Sequence, residues 1–434
     1  MNYRGTCDYL KSLDSLGSVP GLDSIRELLR RLENPHNKMK FVHIAGTNGK
    51  GSVGAFVASV LEKAGIRAGR YLSPAVKVPL EIIQCSNRNI SSGQFADIIS
   101  RIKSICETMI SDGFPHPTRF EIETAAAFVF FAEQQCDIAV VECGMGGLLD
   151  ATNIIENTEC AVITPISKEH TSFLGDTETE IAGHKAGIIK HGASVVYAAG
   201  KADVNHVIES KAAELGCSVT AVTRDKIMWR LNDAGALVMD YGNYSEAVIG
   251  LRGIYQTVNA ALAIECIETL KSRGCNIPQD AVYTGLAEAR WFGRFEKLGS
   301  RPDFIIDGAH NPAGAAVLAE SLKIYYPEGA ITFIIGVFAD KDYPHIIEEI
   351  MPMAARIFTI STPGNPRALS AKTLAEYIKK YYDVVGVSVT ECASVKEAVA
   401  SAFKHTKPDG AVVAFGSLSH LSLIEDEYRL LTLF

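Results

Sequence analysis

The run Phe41-Val42-His43-Ile44-Ala45, followed by Gly46-Thr47-Asn48-Gly49-Lys50-Gly51-Ser52 and then VGAFVASVLEKAG, decides the fold. An apolar run, a glycine loop and a helix-period segment over 53–64 make the strand, loop, helix unit that cradles phosphate. Glycines let backbone N–H groups close around phosphate oxygens, the helix N-terminus adds partial positive charge, and Lys50 supplies a point charge for terminal phosphates. Ser52 is placed to hold Mg2+. The string departs from GxxxxGK[ST], because position 44 is Ile and Gly51 stands between Lys50 and Ser52. A bare strand-to-helix turn would use one or two glycines, so this density in this setting favours a nucleotide.

Outward from that loop, helix-like and strand-like runs alternate. A helix over 121–134 precedes the apolar run DIAVVE at 137–142, which delivers Glu142 to a strand end. Alone, such a carboxylate is more often a helix cap; beside a phosphate loop it becomes a hard oxygen ligand for Mg2+. The later half is regular: strand 303–307, helix Pro312–Tyr325, strand 331–337, helix 343–351, strand 356–360, helix 370–382, strand 386–389, helix 394–403 and strand Ala411–Phe415. The predicted fold class is therefore α/β. A P-loop-type mononucleotide-binding ATPase domain covers 1–298, and a smaller, doubly wound Rossmann-like domain covers 299–434. The polar stretch 223–245, with alternating apolar residues, predicts antiparallel strands at an edge of the first sheet.

Composition narrows the class. A chain of 434 residues has room for two to three domains, and 42 basic against 50 acidic residues give a formal charge of −8. That is the wrong sign for coating a nucleic acid, so any phosphate site is local. The apolar run at 125–132 is far short of a membrane span, and the N-terminus has no basic-then-apolar leader, so a cytoplasmic protein is expected. None of the ten cysteines forms a CxxC pair, and all read as reduced core residues.

Four more segments bear chemistry. Glu169-His170-Thr171 follows the apolar CAVITPIS, and Lys185 lies in HKAGIIK. His170 reads either as a locally satisfied loop histidine or as a ligand; Lys185 in apolar surroundings would have a depressed pKa. Gly293-Arg294-Phe295-Glu296 lies near the expected boundary, and Asp307-Gly308-Ala309-His310-Asn311-Pro312 begins at a strand end. Arg294 can clamp phosphate and Asp307 can accept from ribose hydroxyls, while a plain capped helix with Pro in its first turn accounts equally well for DGAHNP.

Taken in order, GTNGKGS, YLSP at 71–74, TRFE at 118–121, ECGMGG and DATN within 142–153, HTSFLG at 170–175, KAGIIK at 185–190 and QTVNAALA at 256–263 resemble the folylpolyglutamate synthase and dihydrofolate synthase family of the Mur ligase superfamily. GRFE at 293–296, DGAHNP at 307–312, DKD at 340–342 and PRAL at 366–369 continue the match, which spans nearly the whole chain. The resemblance implies an ATP-dependent ligase that adds L-glutamate to a folate or to dihydropteroate through an acyl phosphate, acting as a monomer without nucleic acid or membrane. It implies Lys50 on the terminal phosphates, Ser52 and Glu142 on one Mg2+, and His170 with a carbamylated Lys185 on a second. Asn259, Arg294 and Asp307 would grip the nucleotide, while Ser73, Asp150, His310 and Ser417 would face acceptor and glutamate. The sequence departs from the family pattern at Ala75, Leu148, Glu169, His184, Tyr255 and Phe292, where His, Arg, Asp, Glu, His and Pro are usual. Those departures keep open a ligase of the same fold acting on a non-folate acid. An ATP-binding module that hydrolyses nucleotide without forming an amide is the alternative from another class.

Overall fold

The computed structural model of the chain describes residues 1–17, 19–382 and 386–432. The backbone divides into two compact units. The first comprises Met1–Trp229, Met239–Ile249 and Thr257–Arg290; the second comprises Arg230–Val238, Gly250–Gln256 and Trp291–Phe434, whose last two residues lie outside those described.

In the first unit, β1 (Lys40–Ala45), β2 (Ala68–Tyr71), β3 (Ile83–Cys85), β4 (Arg88–Asn89), β5 (Ile138–Glu142), β6 (Thr158–Ile163), β7 (Ser194–Ala198) and β8 (Ser218–Val222) form one sheet in the order β4-β3-β2-β5-β1-β6-β7-β8. From β2 to β8 the pairs are parallel; β3 and β4 add an antiparallel edge. β1 and β5 are almost wholly buried, as strands covered on both faces must be. Because β5 and β6 flank β1 on opposite sides, the strand order reverses there, and ligands of open α/β sheets bind in the crevice beyond such a reversal.

Residues 228–249 hold β9 (Met228–Leu231), β10 (Leu237–Tyr241) and β11 (Tyr244–Ile249), which form a separate sheet in the order β11-β10-β9. This corrects the expectation of strands on an edge of the first sheet. One edge of that sheet is β4, the hairpin partner of β3, and the other is β8.

The second unit's sheet runs β12-β13-β17-β14-β15-β16, from β12 (Glu296–Gly299), β13 (Asp303–Ile306), β14 (Ile331–Ile335), β15 (Ala354–Thr359), β16 (Ser388–Glu391) and β17 (Ala411–Phe415). Its strands alternate between two cores. Phe333, Ile335, Val413 and Phe415 face one, while Ile334, Phe304, Val412 and Ala414 face the other, so the strands read as continuous apolar runs. Five parallel strands match the sequence reading. β12 was not anticipated, being the polar Glu-Lys-Leu-Gly, and its antiparallel pairing of Glu296 with Ile306 draws residues 296–298 into the second unit. By backbone contacts the last stretch of the second unit begins at Trp291.

Candidate nucleotide and ligation site

Strand register builds the first part of the site. Ile44 stands beside Glu142 on one side, and Ala45 beside Ile163 on the other, so the loop after β1 opens between the ends of β5 and β6. Gly46 has φ 149°, and a Cβ there would stand 1.8 Å from the buried Thr164 Oγ1. Gly49 has φ 97°, and its Cβ would stand 2.4 Å from Asn259 Oδ1. Neither position tolerates another residue without displacing the loop. Thr47 fastens the loop to the segment after β6: its N–H donates to Pro165 O at 3.0 Å, and its hydroxyl donates to Ser167 O at 3.0 Å. The helix Lys50–Lys63 then starts from Gly49 with no side-chain cap, leaving first-turn N–H groups for a ligand anion. Thr164 Oγ1, buried and without a partner, points into the same cradle. An open helix end, two obligatory glycines and an unspent hydroxyl suit a phosphate.

Charge gathers around one carbonyl. Lys50 Nζ donates to Gly46 O at 3.1 Å and Thr47 O at 3.2 Å, and lies 3.9 Å from Glu142 Oε1. Lys185, only 4% exposed, reaches across from its own helix, Glu178–Ala186, and donates to the same Gly46 O at 2.7 Å. Burial, with the nearby Lys50 charge, pulls the Lys185 ammonium down to about 7, against the pull of Glu169. Arg70, at 5% exposure, donates to Gly51 O at 2.8 Å; burial lowers it to about 10, with Glu142 and Glu81 opposing. Three cations thus converge on a loop in a chain whose net charge is negative. Arg70 escaped the sequence reading, since one Arg within RAGRYL carries no periodic or motif signal.

The ECGMGG, DATN and KAGIIK strings explain one another. A Cβ on Gly147 would meet His184 O at 2.7 Å, so the glycine pair lets this loop lie against the Lys185 helix. Asn153 Nδ2 bridges Leu148 O and Gly187 O at 3.0 and 3.1 Å. Asp150 serves as a cap: its carboxylate accepts from Met145 N, Thr152 N and Thr152 Oγ1 at 2.8, 3.0 and 2.6 Å, and burial raises its pKa. TRFE is a capping box, in which Thr118 and Glu121 exchange hydrogen bonds at the start of Arg119–Glu133. His170 sits at the head of the four-residue helix Thr171–Leu174 with φ 52°, its side chain exposed, 4.0 Å from Glu169. Ser73 follows β2 by two residues at the same end of the sheet.

In the second unit the DGAHNP loop leaves β13. Asp307 is 3% exposed and accepts from Tyr255 Oη at 2.6 Å, Phe295 N at 2.8 Å and Ala309 N at 2.8 Å; burial raises its pKa. Asn311 caps Pro312–Tyr325 by accepting from Gly314 N at 2.8 Å. Arg294 donates to Gly293 O at 3.2 Å and lies against Gly308, and His310 Nδ1 pairs with Gly308 O at 2.7 Å. Ser417 follows β17 by two residues at the head of the turn Leu418–His420, and its hydroxyl accepts from Ser419 N. Arg294, Asp307, His310 and Ser417 thus share one end of this sheet. DKD and PRAL clamp each other, with Arg367 Nη2 2.5 Å from Asp340.

Comparison with known proteins decides the family. The model of the Mur ligase middle domain matches residues 44–267, and that of the Mur ligase glutamate ligase domain matches residues 293–418. The dihydrofolate synthase/folylpolyglutamate synthase of Bacillus subtilis is 33% identical over 379 residues, which is 86% of this chain and 88% of that one. The chain belongs to the folylpolyglutamate and dihydrofolate synthases of the Mur ligase family. Among solved members, Mycobacterium tuberculosis folylpolyglutamate synthase complexed with ADP superposes with a TM-score of 0.89 at 30% identity, covering 98% of this chain and 99% of that one. E. coli FolC in complex with DHPP and ADP superposes at 0.84 with 25% identity and 98% coverage of both. ATP-dependent ligation is therefore the activity of this fold.

Two of this synthase's departures from the family pattern lie side by side. Leu148 N donates to His184 O at 2.7 Å, so the two positions that usually carry Arg and Glu are neighbours. Tyr255, in place of His, keeps a donor on Asp307. Ala75 lies in the loop that Glu81 organises by accepting from Val76 N and Lys77 N. Among the described residues no helix is long and apolar enough to cross a membrane.

Proposed function

We propose that this chain joins L-glutamate to a folate or to dihydropteroate at the expense of ATP, and that the loop around Gly46 O is where the phosphoryl group is transferred. The convergence of Lys50 and Lys185 on that carbonyl, beside Glu142, carries the reading. The acceptor carboxylate attacks the γ-phosphorus, ADP leaves, and an acyl phosphate forms. The glutamate amine then adds to the acyl carbon, and phosphate and a proton depart as the amide forms. Catalysis rests on positioning and on charge: Lys50 and the uncapped helix end hold the phosphoryl oxygens as negative charge shifts among them, while Arg70 braces the first helical turn through Gly51 O. No covalent enzyme nucleophile is required.

Ser52 and Glu142 supply hard oxygens at the place where a nucleotide-bound Mg2+ belongs; the ion would neutralise phosphate charge there. The site needs few protein ligands, since Mg2+ keeps waters and phosphate oxygens. His170 and a carbamylated Lys185 would hold a second ion in this reading. A lysine pulled to about 7 is substantially a neutral amine, and it adds CO2 to give a carbamate and a proton, turning a cation into a hard oxygen ligand. Asn259, Arg294 and Asp307 act on the nucleotide, and Ser73, His310 and Ser417 on acceptor and glutamate; Asp150 acts through the loop it caps. The protein works as a cytoplasmic monomer, which size-exclusion chromatography checks.

The deciding experiment follows phosphate release and product mass with ATP, Mg2+ and glutamate, against dihydropteroate, tetrahydrofolate or no acceptor. Gain of one glutamate by either pteroyl acid is the expected outcome. ATP turnover with neither acid extended moves the enzyme to a non-folate acceptor, and acceptor-independent hydrolysis alone makes it a non-ligating module. For Lys185, alanine substitution should nearly abolish activity and short-chain carboxylates should restore part of it; full activity of Lys185→Ala removes the carbamate.

A further inference from the structure

The edge hairpin of the first sheet brings together two thiols that the ligation chemistry does not use. Cys85 closes β3 and is half-buried; Cys136 lies just ahead of β5 and is buried. Their sulfurs are 3.6 Å apart although 51 residues separate them in sequence. The backbone around both is fixed. Cys85 pairs with Gly69 of β2, and the next residue, Ser86, donates its N–H to Ala68 O at 2.9 Å. On the other side Cys136 N bonds Phe131 O at 2.9 Å, and Asp137 N bonds Arg67 O at 2.9 Å. Arg67 in turn donates from Nη1 to Gln134 O at 3.0 Å, which keeps its guanidinium beside the pair.

We propose that Cys85 and Cys136 are a peroxide-oxidisable dithiol, with Cys85 as the attacking thiolate and Cys136 as the resolving thiol. Exposure divides the roles, since a hydroperoxide can reach the half-buried sulfur and the buried one can meet only its neighbour. Ionisation agrees: the hydrogen bond with Cys136 holds the Cys85 thiol below the usual range, helped by Ser86 and Arg67. The Cys85 thiolate attacks the distal oxygen of ROOH, the O–O bond breaks and RO− leaves, giving Cys85 sulfenic acid and, after protonation of RO−, ROH. Cys136 then attacks the sulfenic sulfur, its proton leaves with the hydroxyl as water, and an S–S bond forms. The thiols lose two electrons in all, and the peroxide gains them. A disulfide here ties the β3–β4 hairpin to β5 across a 51-residue span. That hairpin follows directly on the loop that Glu81 organises. The thiol pair Cys160 and Cys266 is a built-in contrast, because both are fully buried and out of a peroxide's reach.

The test treats the full chain with hydrogen peroxide, blocks free thiols with iodoacetamide under denaturing conditions, and maps the peptides by mass. The expected result is one cross-linked species, Cys85 with Cys136, two hydrogens lighter than the separate peptides, with Cys160 and Cys266 alkylated. Thermal unfolding should shift up by about 5–10 °C and return with dithiothreitol. In Cys136→Ser the reaction should stop at a dimedone-reactive sulfenic acid on Cys85, without that shift. Both cysteines alkylated after peroxide would overturn the proposal, as would Cys85 over-oxidised beside a free Cys136, or Cys85 bonded to another cysteine. Peptide mapping of the unmutated chain decides the question even where a variant fails to fold.

Discussion

Two loops occupy equivalent places in two sheets and are built in opposite ways. Each leaves the C-terminal end of a parallel strand, β1 or β13, and each leads into a 14-residue helix. After β1 the helix begins at Gly49 with no side-chain cap, and lysines crowd the loop. After β13 the helix is capped by Asn311, and the loop's carboxylate, Asp307, is filled by three donors. The difference teaches that topology supplies a place for a ligand while local capping decides what the place can hold. An uncapped helix end with cations accepts an anion; a capped end with a satisfied acid is a rigid platform that presents its neighbours, Arg294 and His310.

The largest expected effect breaks the first loop's charge. Lys50→Ala should lower kcat by about a thousandfold or more, with the unfolding midpoint nearly unchanged, because the side chain contacts loop carbonyls rather than core. Steady-state kinetics with a thermal melt checks this, and near-normal turnover in a folded variant would end the assignment of the phosphate loop.

Next comes the backbone of the same loop. In Gly46→Ala the new Cβ meets Thr164 at a position with φ 149°, so about 1–3 kcal/mol of strain is expected. Nucleotide affinity measured by calorimetry should fall about tenfold or more, and unchanged affinity would show that the loop does not need this shape.

Acid should weaken both units alike, which makes pH a control on the comparison. His43 under the first loop and His420 near the second are fully buried, and burial lowers them to about 3 and about 4. In the unfolded chain they take up protons below about 6.5, whereas the folded chain resists. Stability is therefore full above that pH and is lost as pH falls toward the folded values, by about 2 kcal/mol per histidine between pH 7 and pH 5. Urea denaturation at the two pH values measures it. Replacing His420 with Gln should flatten the dependence, and an unchanged slope would remove His420 as a source.

The smallest effect sharpens the contrast. Asn311→Ala removes the cap and should cost about 1 kcal/mol of stability, with ATP affinity unchanged. A loss of affinity as large as that of Gly46→Ala would mean that the two loops are less different than their caps indicate.

Much of this was legible in the chain because local backbone chemistry writes itself into short strings. The glycine loop, the apolar strands with both faces covered and the regular second half all follow from spacing and residue type. The polar β12 did not, because its pairing with β13 rather than an apolar pattern makes it a strand; the strands within 228–249 were legible from their alternation, but not that they form a sheet of their own. Asp150 and Asp307 read in the sequence as ligand-facing carboxylates, and the hydrogen bonds that each accepts from its neighbours could not be read there.

The sequence by itself determined that a phosphate-binding loop exists, which lysine and serine it carries, and which family it resembles, because a loop's backbone conformation depends on adjacent residues. Only the tertiary structure decided that Lys185, 139 residues from Gly46, shares that residue's carbonyl with Lys50, and that Arg70 and Thr164 adjoin the same loop. The physical reason is the strand order: with β5 and β6 on either side of β1, segments remote in the chain meet at one sheet end, and burial there sets their charge.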